Sequence, residues 1–191
     1  MAPLAAVVSF AVPPGRYARR ALRTEIVHPL LTAAAVGLLV GCVTVFGPTL
    51  HAAVAAVFCA SLVVVTATDL EYRVVPNRVV LPVSALVLAG MTAAEPSAEW
   101  ALSALGASGF LLVASLVNPS GMGMGDVKLA FLMGAVLGRS VAVAFAVGLA
   151  ASLVLTIILF ARHGRAARKM TFPFAPFLAL GSVVALFAGE L

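Results

Sequence analysis

The stretch GMGMGDVKLAFLMGAVLG, residues 121–138, decides the topology of this chain. Three closely spaced glycines lead into an aspartate, Asp126, and then into an apolar run. That run, 126–138, is shorter than the roughly 20 residues that an ordinary transmembrane helix needs. We therefore expect it either to cross a membrane partially or to tilt inside a bundle, packed against other segments of the protein.

The composition is that of a membrane protein. Hydrophobic residues make up 63% of the 191 residues and charged residues 10%, whereas a soluble domain is about 45–50% apolar and about 25% charged. The net charge of +5 does not predict nucleic-acid binding, because no aromatic residues are interleaved with the basic ones. The composition predicts a short N-terminal segment, 1–24, cytosolic or peripheral, and one membrane-embedded domain, 25–191.

Uncharged runs elsewhere predict six long spans, at 29–47, 51–68, 78–94, 100–117, 140–161 and 170–188. Counting 126–138 as a seventh, shorter segment places eleven of the twelve Lys and Arg residues on the cytosolic side, Arg139 being the exception. With six segments the basic cluster at 162–169 would lie outside. The sequence thus predicts an all-α, polytopic transmembrane helix bundle with about seven segments. It leaves the oligomeric state open.

Two pairs of small residues lie within the predicted spans. Cys42 and Cys59 are not part of a CxxC pair, so they predict apolar packing rather than a zinc module. Gly134 and Gly138 have the four-residue spacing typical of closely packed transmembrane helices.

The chain has only two aspartates, Asp69 and Asp126, and the topology places both at the cytosolic membrane edge. An ionisable group bordering a span indicates function, although each acid could instead pair with Arg73 or Lys128. Two neighbouring carboxyl groups share a proton, so one can activate water while the other polarises a carbonyl. Helix dipoles suggest that Asp126, at a helix N-terminus, is the ionised base and Asp69 the protonated acid.

Other chemistries compete with hydrolysis. A metal site would need further ligands, for which Glu71 is the nearest candidate. A proton or cation transporter could use the aspartates as a relay, although relay acids usually lie near mid-membrane. An inactive scaffold is a third possibility. No cofactor is expected.

The residues beside each aspartate predict local structure. Gly121, Gly123 and Gly125 permit close approach of an extended peptide, or alternatively a flexible loop. Pro76 disfavours helix just before it and suits the start of the next helix, where Asn77 could act as a cap.

Three stretches resemble elements of one family. DLEYRVVPN, residues 69–77, resembles the D-x₆-PN element of type IV prepilin peptidases, and GMGDVKL, 123–129, resembles their GxGD-x-K-L element. FPFAPFLALG, 172–181, is similar to their C-terminal element, with Ala175 where glycine is usual. The resemblance covers roughly 25–188, and His28 takes the place of a family glutamate.

The resemblance implies a GxGD aspartic protease of the bacterial cytoplasmic membrane, working in contact with membrane lipid. Such an enzyme cuts the basic leader from prepilins or pseudopilins at the cytosolic face. Asp69 and Asp126 match the catalytic aspartates, while Gly123, Gly125, Lys128, Pro76 and Asn77 match the surrounding loop residues. The four-cysteine zinc loop of the long forms is absent from this sequence. We therefore expect a peptidase-only short form without N-methyltransferase activity.

Overall fold

The computed structural model describes residues 24–117, 122–164 and 172–189. Within these ranges the chain forms helices and no strand, which confirms the all-α class. The predictions for 1–23, Gly121 and the basic residues at 165–169 lie outside the described residues. The described helices are α1 (Thr24–Phe46), α2 (Leu50–Tyr72), α3 (Asn77–Ala94), α4 (Glu99–Val117), α5 (Met124–Leu137), a 3₁₀ turn (Gly138–Ser140), α6 (Val141–His163) and α7 (Ala175–Ala188).

Several helices have the length and composition of membrane spans. By these criteria four helical stretches qualify among the described residues: α2, α3, α4 and the continuous stretch Met124–His163, which contains α5 and α6. The stretch Leu30–Phe46 of α1, and α7, are shorter apolar helices. Large apolar side chains point outward, such as Leu102 at 66% and Leu116 at 71% exposure. Such a surface suits lipid and would be unusual in water.

The helices alternate in direction, so their loops gather at two ends of the bundle. The aspartate end comprises 73–76, 122–123 and 172–174, and the opposite end comprises 47–49, 95–98 and 138–140. At the opposite end Arg139, the exception to the charge rule, pairs with Glu99 at 3.4 Å between Nε and Oε2. Nearby, the Trp100 indole donates to the carbonyl of Glu95 at 3.1 Å.

Helix α5 runs from one end of the bundle to the other through its centre. Its 14 residues span about 21 Å, less than the roughly 30 Å hydrocarbon core. The helix is buried almost continuously from Leu129 to Leu137, so other helices rather than lipid surround it. This confirms the expectation of a short segment packed against protein, and it shows that the segment runs the full length of the bundle.

The small residues have different structural roles. A Cβ on Gly134 would lie 2.6 Å from Cα of Ala104, so this glycine lets α5 approach α4 closely, as its spacing predicted. Gly138 instead ends α5 with φ +52°, a conformation that favours glycine. Cys42 and Cys59 are buried as expected, but their Sγ atoms also lie 3.8 Å apart across α1 and α2.

Candidate active site

Asp69 lies in the last turn of α2. The helix ends where Arg73 adopts a left-handed conformation, φ 54°, and donates its backbone N–H to the carbonyl of Asp69 at 2.9 Å. Helix does not resume until after Pro76, as expected from the restriction that a proline places on the residue before it. The Asp69 side chain is only 7% exposed, so the end of α2 delivers a carboxyl group into the bundle rather than to the surface.

The Asp69 carboxyl group is held by the start of α7. Its Oδ2 accepts the backbone N–H of Ala175, the first residue of α7, at 3.0 Å. The third sequence element therefore supplies a backbone donor to the first. Because Ala175 has helical geometry and does not need a positive φ, alanine can stand where the family usually has glycine.

This hydrogen bond changes the electrostatic argument made from the sequence. The sequence placed Asp69 only near the C-terminus of α2, where the helix dipole disfavours a carboxylate. The structure also places it at the N-terminus of α7, where the dipole and a free N–H favour one. Helix dipoles therefore no longer separate the roles of Asp69 and Asp126.

Asp126 is the third residue of α5 and lies near Asp69. Its Oδ2 accepts the N–H of Gly123 at 3.4 Å, so the side chain folds back over the start of its own helix. The two carboxyl groups are close enough for a direct electrostatic interaction. Tertiary structure thus brings together two acids that are far apart in the chain, at one end of the bundle.

The two matched glycines are not equivalent. A Cβ on Gly125 would lie 2.7 Å from Cβ of Val75, so the loop before α3 packs directly on the start of α5. A Cβ on Gly123 would have no neighbour closer than 3.9 Å, and this residue is extended and exposed. Packing therefore requires glycine at 125, whereas at 123 the structure leaves open space beside the backbone.

Asn77 and Lys128 connect the two aspartate elements. Asn77 makes no side-chain cap to α3, so the capping prediction was wrong. Pro76 occupies the cap position instead. Its carbonyl accepts the N–H groups of Val79 and Val80, each at 3.0 Å. The Asn77 Oδ1 instead accepts a hydrogen bond from Lys128 Nζ at 3.0 Å. The lysine thus ties α5 to the start of α3.

Sequence reasoning missed three contacts: the Ala175 N–H on Asp69, the packing of Val75 on Gly125, and the Lys128–Asn77 bond. The only hint of these contacts in the sequence was that the three elements occur together in one chain. Among the described residues no group of three His, Cys, Asp or Glu is arranged to hold a metal ion, so Glu71 does not complete a ligand set with the aspartates.

Comparison with known proteins places this geometry in a family. A profile of the type IV leader peptidase family matches residues 56–161, which include both aspartates. The chain belongs to this family. Its apolar helices are accordingly those of a multi-pass membrane protein, in agreement with the composition. None of the solved structures matches the chain significantly.

Curated members of the family are similar over most of the chain. One from Bacillus subtilis (strain 168), named prepilin leader peptidase/N-methyltransferase, is 32% identical over 158 residues, covering 76% of this chain and 59% of the relative. Another of the same name, from Burkholderia pseudomallei (strain 1026b), is 32% identical over 177 residues, covering 85% of this chain and 55% of the relative. The chain thus spans somewhat more than half the length of these relatives.

Proposed function

We propose that this protein is an aspartic endopeptidase that removes the leader peptide from prepilin-like proteins, using Asp69 and Asp126. The observation that carries the proposal is the convergence of two carboxyl groups at one end of a family-matched helix bundle. One of them is buried and held by a backbone N–H, as a group with a fixed orientation should be. The names of the relatives supply the substrate class.

The chemistry follows from a proton shared between two acids. The ionised carboxylate takes a proton from water, and the resulting hydroxide equivalent attacks the scissile carbonyl carbon. The protonated carboxyl group hydrogen-bonds to the carbonyl oxygen and stabilises the charge that develops there. Collapse of the tetrahedral intermediate breaks the C–N bond, and the amine leaves with a proton from the pair. Because the two groups are coupled, we assign the proton to the pair rather than to one residue.

The distribution of basic residues supports a cytosolic orientation of the aspartate end. Arg73, Arg78 and Lys128 lie at or beside the loops of this end, and Arg162 lies in the last turn of α6, a helix that starts at the opposite end. The opposite end carries Arg139, which pairs with Glu99. Lys and Arg are retained preferentially on the cytosolic side of bacterial inner membranes. A basic leader would then meet the two acids from the cytosol.

The test is cleavage of a prepilin in membranes of a strain without other leader peptidases. The wild type should shorten the substrate, whereas Asp69→Asn and Asp126→Asn should each abolish cleavage while keeping the size and fold of the protein. Glu95→Gln, at the opposite end, is the matched control and should retain activity. Processing by both aspartate variants would refute the mechanism.

A transporter that relays protons through the two acids is the alternative. It would show ion flux that both aspartate variants abolish, together with no proteolysis by the wild type. The position of both acids at one end of the bundle favours the peptidase, because a relay needs ionisable groups along the depth of the membrane.

A further inference from the structure

An apolar cleft lies beside Asp69, between α1 and α7 with α2 as its floor. We call it the α1/α7 cleft; it has a volume of about 460 Å³ and is lined by residues within 31–38, 62–66 and 176–183. Thr66 is its only polar side chain. Leu180 remains 51% exposed although it lines the cleft, so an apolar surface is left uncovered there.

The cleft begins at the candidate catalytic group. Thr66 lies on α2, three residues and thus about one turn before Asp69. Pro176 directly follows Ala175, which donates to the Asp69 carboxyl group. The inner end of the cleft therefore lies about one helical turn from Asp69.

The far end of the cleft is closed. A Cβ on Gly41 of α1 would lie 3.2 Å from the Phe187 ring of α7. The same ring stacks on Phe46, with ring centroids 6.3 Å apart. Helices α1 and α7 therefore touch near the opposite end of the bundle and separate toward the aspartate end. From Pro176 to Phe187 the cleft wall is about 16 Å long, half the thickness of the hydrocarbon core.

The apolar lining, length and position of the cleft indicate what kind of molecule could bind in it. A chain that has its peptide bond at the aspartates and continues into the membrane must satisfy its own backbone hydrogen bonds, so it must be helical. The small residues Ala34 and Gly37 in the wall allow another helix to approach closely. A second cleft, of about 270 Å³ near Asp126, is smaller and is lined partly by Ser84, Ser108 and Lys128, which does not suit an apolar helix.

We propose that the α1/α7 cleft binds the apolar helix that follows the scissile bond of the substrate, over about its first three turns. This proposal rests on the proposed function, because it places the substrate bond at the aspartate pair. The cleft anchors the apolar helix while the polar leader stays at the aspartate end. The distance from the membrane anchor to the aspartates then sets which bond is cut.

Gly37 offers a probe position inside the cleft. A Cβ on Gly37 would meet nothing within 4 Å, so a larger side chain can be placed there without displacing the protein's own atoms. Gly106 is also open. It lines a separate groove of about 650 Å³ formed by α4 residues alone, with none from α1, α2 or α7, and it is the matched control. A photoreactive benzoylphenylalanine is introduced at either position in the Asp126→Asn variant and illuminated in proteoliposomes with a prepilin.

We expect the probe at Gly37 to form an adduct that maps to the apolar segment of the prepilin, and the probe at Gly106 to form none. An adduct with lipid only, with a second copy of the protein, or with the leader would overturn the proposal. Equal adducts from both positions would do the same.

A second measurement uses side-chain volume. Gly37→Trp should raise the KM for prepilin at least 10-fold with a smaller change in kcat, because it fills the cleft and leaves the aspartates in place. Gly106→Trp should match the wild type. Wild-type kinetics for Gly37→Trp would overturn the cleft proposal while leaving the peptidase intact, whereas a wild type that cleaves no prepilin would overturn the proposed function itself.

Discussion

The contact between Gly125 and Val75 holds together the two sequence elements that carry the aspartates, 69–77 and 123–129, and it leads to a specific prediction. In Gly125→Ala the new Cβ would lie 2.7 Å from Val75 Cβ and 3.1 Å from its Cγ2, whereas ordinary contacts begin at 3.4 Å. To reach ordinary contact, the two elements must separate by 0.7 Å (3.4 − 2.7). Because the closest neighbour is a Cβ, no side-chain rotation relieves the clash, and the backbone of the 73–76 loop has to move.

The shift should impair catalysis more than folding. Displacements of about 1 Å at a catalytic site cost about 100-fold, so we expect kcat/KM to fall by about 10- to 100-fold. Overpacking costs about 1–3 kcal/mol, partly offset by the roughly 0.5–1 kcal/mol that alanine gains over glycine in a helix. Prepilin cleavage followed by gel mobility measures the first effect, and thermal unfolding in detergent measures the second.

Two second-site variants test the reasoning. Val75→Gly removes the Cβ and should restore most of the activity lost in Gly125→Ala, whereas Val75→Ala keeps the offending Cβ and should not. Gly123→Ala is the control for an alanine at the same helix entrance, since nothing lies within 3.9 Å of its Cβ; its melting temperature should match the wild type. Equal rescue by Val75→Ala and Val75→Gly, or rescue by neither, would refute the steric explanation.

Two further predictions concern contacts between helices. Lys128→Met and Asn77→Leu each break the 3.0 Å hydrogen bond between α5 and α3. The double variant should therefore lose no more kcat/KM than the worse single variant. If the loss in the double variant equals the product of the two single losses, the residues act separately. Treatment of membranes with copper phenanthroline should join Cys42 to Cys59, because their sulfurs are 3.8 Å apart and need to move only about 2 Å; two thiols give a disulfide and pass two electrons to the copper oxidant. Mass spectrometry after alkylation under denaturing conditions should find one linked peptide pair, absent in Cys42→Ser, and two separately alkylated peptides would contradict the packing of α1 on α2.

The helices were predictable because each depends on local sequence. An apolar run long enough to span a bilayer and a proline such as Pro76 act within a few residues of themselves, so the sequence placed the segments and the break after α2. Even the short segment 126–138 could be anticipated, since the Lys and Arg distribution made sense only with it. The sequence left open whether this segment runs the full length of the bundle. The structure answers this, because Gly125 packs on Val75 at one end and Gly138 on Trp100 at the other.

The sequence identified the residues of the candidate site but not the contacts between them. Counting aspartates identified Asp69 and Asp126, and helix order placed them at one end. The roles of their neighbours were partly misjudged: Asn77 was expected to cap α3 but binds Lys128, and Gly125 serves packing. Both outcomes depend on which residues face each other across helices.

The sequence by itself determined the membrane class, the segment order, the two acids and the end of the bundle where they lie, because hydrophobicity, helix breaks and charge bias are properties of the chain read in one dimension. Tertiary structure alone decided that the N–H of Ala175 holds Asp69, that α1 and α7 diverge into a cleft beside it, and that Val75 leaves no room for a side chain at Gly125. These depend on the rotation and tilt of each helix, which are set by the simultaneous packing of all its neighbours.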